Sequence, residues 1–343
     1  MRTIKLILLS VILFSFAGCD KMLLGEKEQN TPVNNFEMLW NDFDRMYGGF
    51  AVKQINWDSL HDVYRATITD NSSDAELYQA MAGMLDHLYD NHVSLLPTNT
   101  GLPIYRSGIV GKMGTFSDFR LSSINDNYID ELKRYSNTIL YGILKGNVGY
   151  ILLAGMEEGV NMYEEAFDFM FDHMKDCNGI IIDVRNNPGG IDPESVYIAG
   201  RFTTKTKTAF KFRLKNGPAH DDFTDYYEYT IKPEGKTQYT KNVVVLTHRF
   251  SISAAETFTM AMSRNENVTI VGDTTSGAFS DMNSKELPNG WIYTISIGDW
   301  RSFDGVSYEG IGFPPDIVVQ NDSTDVANGR DEALEKAISI LSN

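Results

Sequence analysis

Apolar residues recur at helical spacing in the first part of the chain that has a regular pattern. Over residues 34–97 they return every three or four positions, as Phe36, Leu39 and Phe43 do. This spacing puts them on one face of an amphipathic helix, and three such runs predict a small helical bundle. The preceding residues 19–33 are mostly polar and aperiodic, which is typical of a flexible tether.

The pattern in the remainder changes to short apolar strands that alternate with helical segments. Residues 179–184 and 243–246 are nearly continuous apolar runs, which are typical of strands buried on both faces of a parallel sheet. Helical spacing follows each run, over 193–201 and 253–263. This order predicts an α/β fold in which a core of βα units, residues 98–343, is capped by the helical bundle.

Further elements are predicted where apolar runs meet turn residues. The turn signals are glycines and an Asn-Gly pair. The predicted elements are paired strands at 141–144 and 148–153, a strand at 268–271, a hairpin turn at 287–291, and helices at 163–174, 331–341 and, briefly, 130–134.

The N-terminus has the pattern of a secretion signal. Two basic residues precede an apolar run over 6–16 that is too short to span a bilayer. The following Ala17-Gly18-Cys19 resembles the lipobox of bacterial lipoproteins, which implies a lipid on Cys19. We therefore expect a signal peptide over 1–18 and a lipid-anchored protein in the cell envelope, facing away from the cytoplasm. An ordinary signal cut near Gly18 is the alternative.

Composition narrows the classes of partner and cofactor. The 343 residues carry a net charge of -16, which disfavours binding to nucleic acid. The chain has two cysteines, Cys19 and Cys177, so lipidation of the first would leave no internal disulfide. The sequence has no Cys-x-x-Cys or His-Glu-x-x-His cluster. We therefore expect neither a metal nor another cofactor.

A serine stands where a predicted strand turns into a predicted helix. Ser253 follows the strand over 243–246 and precedes Ala254 and Ala255. Backbone N–H groups are unpaired at the start of a helix, and the helix dipole there favours negative charge. These are the needs of a nucleophilic hydroxyl and of an oxyanion. The alternative is that Ser253 only caps the helix.

A second segment combines a buried strand with a glycine loop. The strand over 179–184 runs into Pro188-Gly189-Gly190, and glycines there leave the backbone free to point N–H groups into a cleft. With Ala254, an amide of Gly189 or Gly190 would form an oxyanion hole. The alternative is a tight turn without a chemical role.

Together these segments resemble peptidase family S41, the tail-specific and tricorn-like serine proteases. Five motifs of that family occur in order between residues 180 and 319. They are D-x-R-x-N-x-G-G at 183–190, S-A-x-E at 253–256, V-G-[ED]-x-T-x-G at 271–277, L-P-N-G at 287–290 and E-G-x-G-x-x-P-D at 309–316. The helical bundle also fits the family, so the resemblance reaches back to about residue 34. It implies a ClpP/crotonase-like core and a serine-type peptidase that cleaves peptide bonds.

The resemblance also bears on the base that activates the serine. The carboxy-terminal processing branch uses a lysine where this chain has Ala278. The tricorn-like branch uses a histidine in a D-x-H segment, matched here by residues 90–92, and the glutamate of the E-G-x-G motif. The resemblance therefore implies a triad in which Ser253 is the nucleophile, His92 the general base and Glu309 the carboxylate that orients the imidazole.

Several neighbouring residues are expected to support this triad. Tricorn has a serine beside its histidine, whereas Asn91 stands here, and either Asn91 or Ser94 is expected to substitute for that serine. Arg185 is expected to form a buried ion pair with Asp183 or to brace the loop. Glu256 is expected to hold the start of its helix.

The sequence predicts the class of substrate but not a particular substrate. About forty residues separate the helical bundle from the core strands, too few for the PDZ domain of the processing branch, so we expect none. A peptide or protein is the predicted substrate, and the oligomeric state stays open. The alternative is a catalytically inactive member of the fold that binds an apolar or peptide ligand.

Overall fold

The N-terminal helices bury the apolar stripe that predicts them. The computed structural model describes residues 29–113 and 118–342. Phe36, Leu39 and Phe43 are fully buried, and Thr31 caps the first helix ahead of a proline, a favoured residue at this position. The helices before the first strand are α1 (Pro32–Met46), α2 (Phe50–Lys53), α3 (Trp57–Arg65) and α4 (Asp74–Asp86).

The central sheet has seven strands. Their order across the sheet is β14 (Ile317–Val318), β10 (Val268–Gly272), β9 (Val243–Thr247), β6 (Ile180–Asp183), β5 (Val148–Leu153), β4 (Ile139–Leu144) and β3 (Lys133–Arg134). Strands β14 to β5 are parallel, and β4 and β3 pair antiparallel. The predicted helix over 130–134 is wrong, because its last residues pair with β4 and this backbone pairing outweighs local propensity.

Helices cover both faces of this sheet. Alternate residues of β6 point to opposite faces: Ile180 and Ile182 join one apolar cluster, and Ile181 joins another. The helices on the first side are α7 (Val160–His173), α8 (Asp192–Gly200) and α9 (Ala254–Met262), and those on the second are α6 (Leu121–Asn127) and α11 (Glu332–Leu341). The predicted α/β fold is confirmed.

Two smaller sheets complete the fold. One has the order β11 (Met282–Glu286), β12 (Ile292–Ser296), β1 (Ser94–Leu96) and β2 (Tyr105–Arg106), and the other has β13 (Gly298–Ser302), β7 (Lys207–Leu214) and β8 (Tyr227–Ile231). The hairpin predicted around 287–291 is confirmed. Strand β1 pairs with β12, so the residues just before β1 lie beside a part of the chain two hundred positions away.

Two short helices remain, α5 (Gly108–Met113) and α10 (Ser323–Ala327). Over residues 29–113 and 118–342, none of the helices has both the length and the apolar character that a membrane span requires.

Candidate active site

Ser253 sits on a strained turn between β9 and α9. Its backbone has φ 57° and ψ −120°, whereas an ordinary N-cap residue is in the β region. A non-glycine residue with such angles costs about 1–3 kcal/mol and persists only where its surroundings hold it. The Ser253 amide donates to the Ala278 carbonyl (3.1 Å) and to Glu256 (3.2 Å). Helix capping alone does not require this geometry.

Glu256 holds the turn in place. Its buried carboxylate accepts hydrogen bonds from the amides of Ser253, Gly277 and Ala278 and from the Thr275 hydroxyl. Burial raises the pKa of Glu256 to about 7, although these donors pull it down. The prediction that Glu256 holds the start of its helix is confirmed.

The glycine loop lies directly against Ser253. A side-chain carbon on Gly189 would stand 2.7 Å from Ser253 Cβ, and φ at Gly189 is +109°, so only glycine fits there. The Gly189 amide donates to Asn187 Oδ1 (2.8 Å). The prediction of Gly189 as an oxyanion donor is therefore wrong, because its N–H is already used to shape the turn.

The amides of Gly190 and Ala254 remain available for the predicted role of oxyanion donors. Within the described part of the chain, neither amide donates a hydrogen bond to an acceptor. Gly190 is fixed by the flanking bonds of Met156, whose amide donates to the Gly189 carbonyl (2.9 Å) and whose carbonyl accepts from Ile191 (2.7 Å). Both donors therefore come from backbone that other contacts hold still.

His92 is fixed through its backbone. Its amide donates to Asp90 Oδ1 (2.9 Å), and its carbonyl accepts from the Thr294 hydroxyl (2.6 Å), which also bonds Ser94. Burial lowers the pKa of His92, while the charges of Asp90 and Asp281 oppose that shift. Ser94, which is expected to substitute for the serine beside the histidine, contacts Thr294, whose hydroxyl donates to the His92 carbonyl.

Glu309 faces a lysine rather than the imidazole. Its Oε2 accepts from the Phe279 amide (2.9 Å), and its Oε1 is 3.7 Å from Lys53 Nζ. Neither Glu309 Oε1 nor His92 Nδ1 has a hydrogen-bond partner among the described residues. The described residues therefore show no hydrogen bond between Glu309 and His92, because the Phe279 amide and the Lys53 ammonium group hold the carboxylate. Burial and the charge of Asp90 raise the pKa of Glu309 to about 8.

One loop, residues 276–281, links the predicted catalytic residues. The Ala278 carbonyl accepts from Ser253, and the Phe279 amide binds Glu309. At one end of the loop Ser276 accepts a hydrogen bond from the side chain of Asn91, the residue directly before His92. The three residues, distant in sequence, therefore lie around one loop.

The remaining predictions concern two residues expected to support the triad and the cysteine expected to carry the lipid. The Asn91 side chain donates to the Ser276 hydroxyl and accepts from the Val110 amide. These hydrogen bonds hold the loop and do not go to His92. The buried Arg185 pairs with Asp183, as predicted, and also with Asp331. Cys19 lies outside the described residues.

Sequence reasoning missed three residues of this site. Asn187 shapes the glycine loop, and its signal was available, since it is the asparagine of the D-x-R-x-N-x-G-G motif. Asp90 is the aspartate of the D-x-H segment. Lys53 had no local signal, because its partners are about 35 to 260 positions away.

A strained serine at a strand-to-helix turn, beside two free amides and a glycine loop, defines a protein of the serine-hydrolase class. Comparison with known proteins identifies the family within this class. A model of peptidase family S41 matches residues 147–319, about half of the chain, and a model of the tricorn protease C1 domain matches residues 29–86. The chain belongs to peptidase family S41.

Individual relatives agree with this assignment. Carboxy-terminal processing protease CtpA of Bacillus subtilis is 27% identical over 214 residues, which are 61% of this chain and 44% of that protein. A crystal structure of a candidate peptidase from Parabacteroides merdae is 30% identical, with a TM-score of 0.81, and the match covers 91% of this chain and 97% of that one. Mature CPAF, in complex with lactacystin, shares the fold at 13% identity and a TM-score of 0.68, over 91% of this chain and 99% of that one.

Proposed function

We propose that this chain is a serine-type peptidase in which Ser253 is the nucleophile and His92 the general base. The observation that carries the proposal is the strained backbone of Ser253 against Gly189. Such strain clusters at functional sites, where a hydroxyl must stand free of the helix that follows it.

The chemistry follows from these positions. Ser253 Oγ attacks the substrate carbonyl carbon while His92 takes the hydroxyl proton, and the amides of Ala254 and Gly190 hold the oxyanion. The peptide C–N bond then breaks as His92 returns the proton to the leaving amine. Water releases the acyl group from Ser253 by the same proton transfers. The lowered pKa of His92 keeps the imidazole neutral and ready to accept a proton.

Glu309 enters this proposal with a changed role. It holds the Phe279 amide and thereby supports the neighbouring Ala278 carbonyl, which accepts from the Ser253 amide. The imidazolium formed in the reaction is stabilised instead by the charges of Asp90 and Asp281.

Cleavage of an unfolded protein such as casein tests the proposal. Ser253→Ala and His92→Ala should each lower kcat/KM by roughly 10⁴-fold or more, as in serine proteases whose catalytic groups act as a unit. Ser263→Ala is a matched control, because Ser263 stands at the other end of the same helix. Equal cleavage by the wild type and Ser253→Ala would reject Ser253 as the nucleophile.

A second candidate function is ligand binding without catalysis. One observation favours it: no described residue bonds His92 Nδ1, so the imidazole lacks the carboxylate that orients it in a triad. Under this alternative the wild type cleaves nothing, and the serine variant binds a ligand as well as the wild type does.

The proposal extends to where the protein acts. The motif before Cys19 supports lipidation and an anchor in the cell envelope, with the polar residues between Cys19 and α1 as a tether to the folded part of the chain. Peptides or proteins in that compartment are the proposed substrates.

A further inference from the structure

Asp90 is the side chain that positions the His92 backbone. It is buried, with 1% of its surface exposed. Its Oδ1 accepts from the His92 amide, and its Oδ2 accepts from the hydroxyls of Tyr47 and Ser296, each at 2.9 Å. These donors come from the helical region (residues 32–86, with Tyr47 directly after α1) and from β12, so Asp90 ties the histidine to both.

A buried carboxylate needs a compensating charge, and Lys53 supplies it. Lys53 Nζ lies 3.4 Å from Asp90 Oδ2 and 3.7 Å from Glu309 Oε1. Its side chain is 10% exposed. Forming such a shielded ion pair costs desolvation free energy, but removing one partner is strongly destabilising because it leaves an uncompensated buried charge.

Lys53 also holds the turn that leads to His92. Its ammonium group donates to the carbonyls of Leu88 (3.1 Å) and Tyr89 (3.4 Å). Tyr89 has a positive φ of 45°, a strained backbone for a bulky residue. The bonds from Lys53 therefore fall on and just before the strained residue.

These contacts matter because no described residue makes a hydrogen bond to Nδ1 that would orient the His92 ring. The ring's place therefore depends on its backbone. That backbone is held at its amide by Asp90 and at its carbonyl by Thr294. Loosening the Asp90 side would move the imidazole relative to Ser253.

We propose that Lys53 is a positioning residue, which ties Asp90 and the turn at Tyr89 to the helical region and thereby keeps His92 aligned with Ser253. The inference rests on the proposed peptidase function. Under this inference the helical region helps to set the geometry of the active site and does not only pack against it.

The test compares Lys53→Met with the wild type on a fluorogenic peptide that the wild type cleaves. We expect kcat to fall by about 10–100-fold, since small misplacement of a catalytic group has effects of this size, while KM changes by less than about threefold. Lys53→Arg, which restores the charge, should recover most of kcat. An unchanged kcat in Lys53→Met, or no recovery in the arginine variant, would overturn the inference.

A matched control separates positioning from general loosening. Lys285 in β11 pairs with Asp42 in α1 and so also links the helical region to the sheet that contains β1 and β12. It does not contact Asp90 or His92. Lys285→Met should therefore keep the wild-type kcat. An equal loss of kcat in both methionine variants would show that the lysine acts only through overall stability.

Two further measurements keep the inference testable. If Lys53→Met does not fold, Asp90→Asn removes the same charge pair with nearly the same shape and should lower kcat in the same way. If the wild type cleaves nothing, the proposed function fails. A crystal structure of Lys53→Met then tests the positioning by itself: displaced residues 88–92 support it, and an unmoved His92 overturns it.

Discussion

At the scale of single residues, the site depends on backbone conformations that most residues disfavour. Ser253 has a positive φ, and Gly189 packs against it at a distance that excludes any side chain. Glu256 gathers donors from both sides of the turn. Ser253, the proposed nucleophile, is thus held by contacts whose removal should have measurable effects.

Gly189→Ala should disable the enzyme while it remains largely folded. The new methyl group would stand 2.7 Å from Ser253 Cβ, so Ser253 must move, and a shift of about 1 Å costs roughly 10²-fold in kcat. Gly305→Ala is the control, because Gly305 also has a positive φ but nothing within 4 Å of the new carbon. Equal kcat in the two variants, measured on casein, would contradict this account of the turn.

Glu309 should make stability depend on pH in an unusual direction. Its pKa is raised from 4.5 to about 8 in the folded state, so between these values the folded protein binds more protons than the unfolded one. Stability should therefore fall as pH rises through this window. Glu256, whose pKa is also raised, should likewise lower stability as pH rises to about 7. His92 has a lowered pKa and should instead increase stability as pH rises towards 6.5.

Glu309→Gln isolates this contribution. Glutamine resembles the protonated acid and does not titrate, so the variant should lose less stability than the wild type between pH 7 and 8. Thermal unfolding at the two pH values measures the difference. Parallel losses in both proteins would contradict the raised pKa.

The residue scale also shows which parts of the site sequence alone can predict. Ser253, Gly190 and Ala254 stand in motifs whose geometry is local, so the strand-to-helix turn and the glycine loop are readable from the chain. The partner of Glu309 is not, because Lys53 reaches it from the helical region, 256 positions earlier in the numbering. A carboxylate's position in a motif does not determine which cation holds it.

At the scale of elements, the buried arginine behind the glycine loop joins β6 to the last helix. Arg185 is 2% exposed, pairs with Asp183 at 2.7 Å and Asp331 at 2.8 Å, and stacks on Phe119. Asp331 caps α11. The motif arginine therefore braces the loop from behind.

Arg185→Met should destabilise the fold by about 3–5 kcal/mol, because it leaves two buried carboxylates without a cation. Urea unfolding measures this loss. Arg330→Met is the control: Arg330 pairs with acidic residues near the same helix but is 52% exposed, and such pairs contribute little. A similar unfolding midpoint for Arg185→Met and the wild type would refute the proposed brace.

Element prediction succeeded where burial sets the pattern. The apolar runs that become β6 and β9 are covered on both faces, so their hydrophobicity is nearly continuous and easy to read. Between β1 and β4 the segments are short and part-exposed, and pairing with β4 made β3 a strand where helical spacing was expected. Such elements are decided by their neighbours in space.

At the scale of the whole molecule, the helical region and the core share one apolar cluster. Trp291, Tyr293 and Ile295 of the hairpin pack with Phe43 and Leu85 of the helices. The residues next to His92, the proposed general base, lie between these two parts, so their packing bears on the proposed site as well as on stability.

The lipid anchor is a prediction at this scale. Expressed from the full gene in a bacterial host, the wild type should partition into the detergent phase of a Triton X-114 extract, because a lipid on Cys19 adds apolar chain. Cys19→Ala should move it to the aqueous phase, whereas Cys177→Ala, a buried thiol, should not. Aqueous partitioning of the wild type would refute lipidation.

The nucleophilic role of Ser253 is the central claim, and covalent labelling tests it most directly. After reaction with a fluorophosphonate, the intact mass of the wild type should increase by one adduct, which peptide mapping places on Ser253, and Ser253→Ala should gain none. An unlabelled wild type, or an adduct on another residue, would contradict the account.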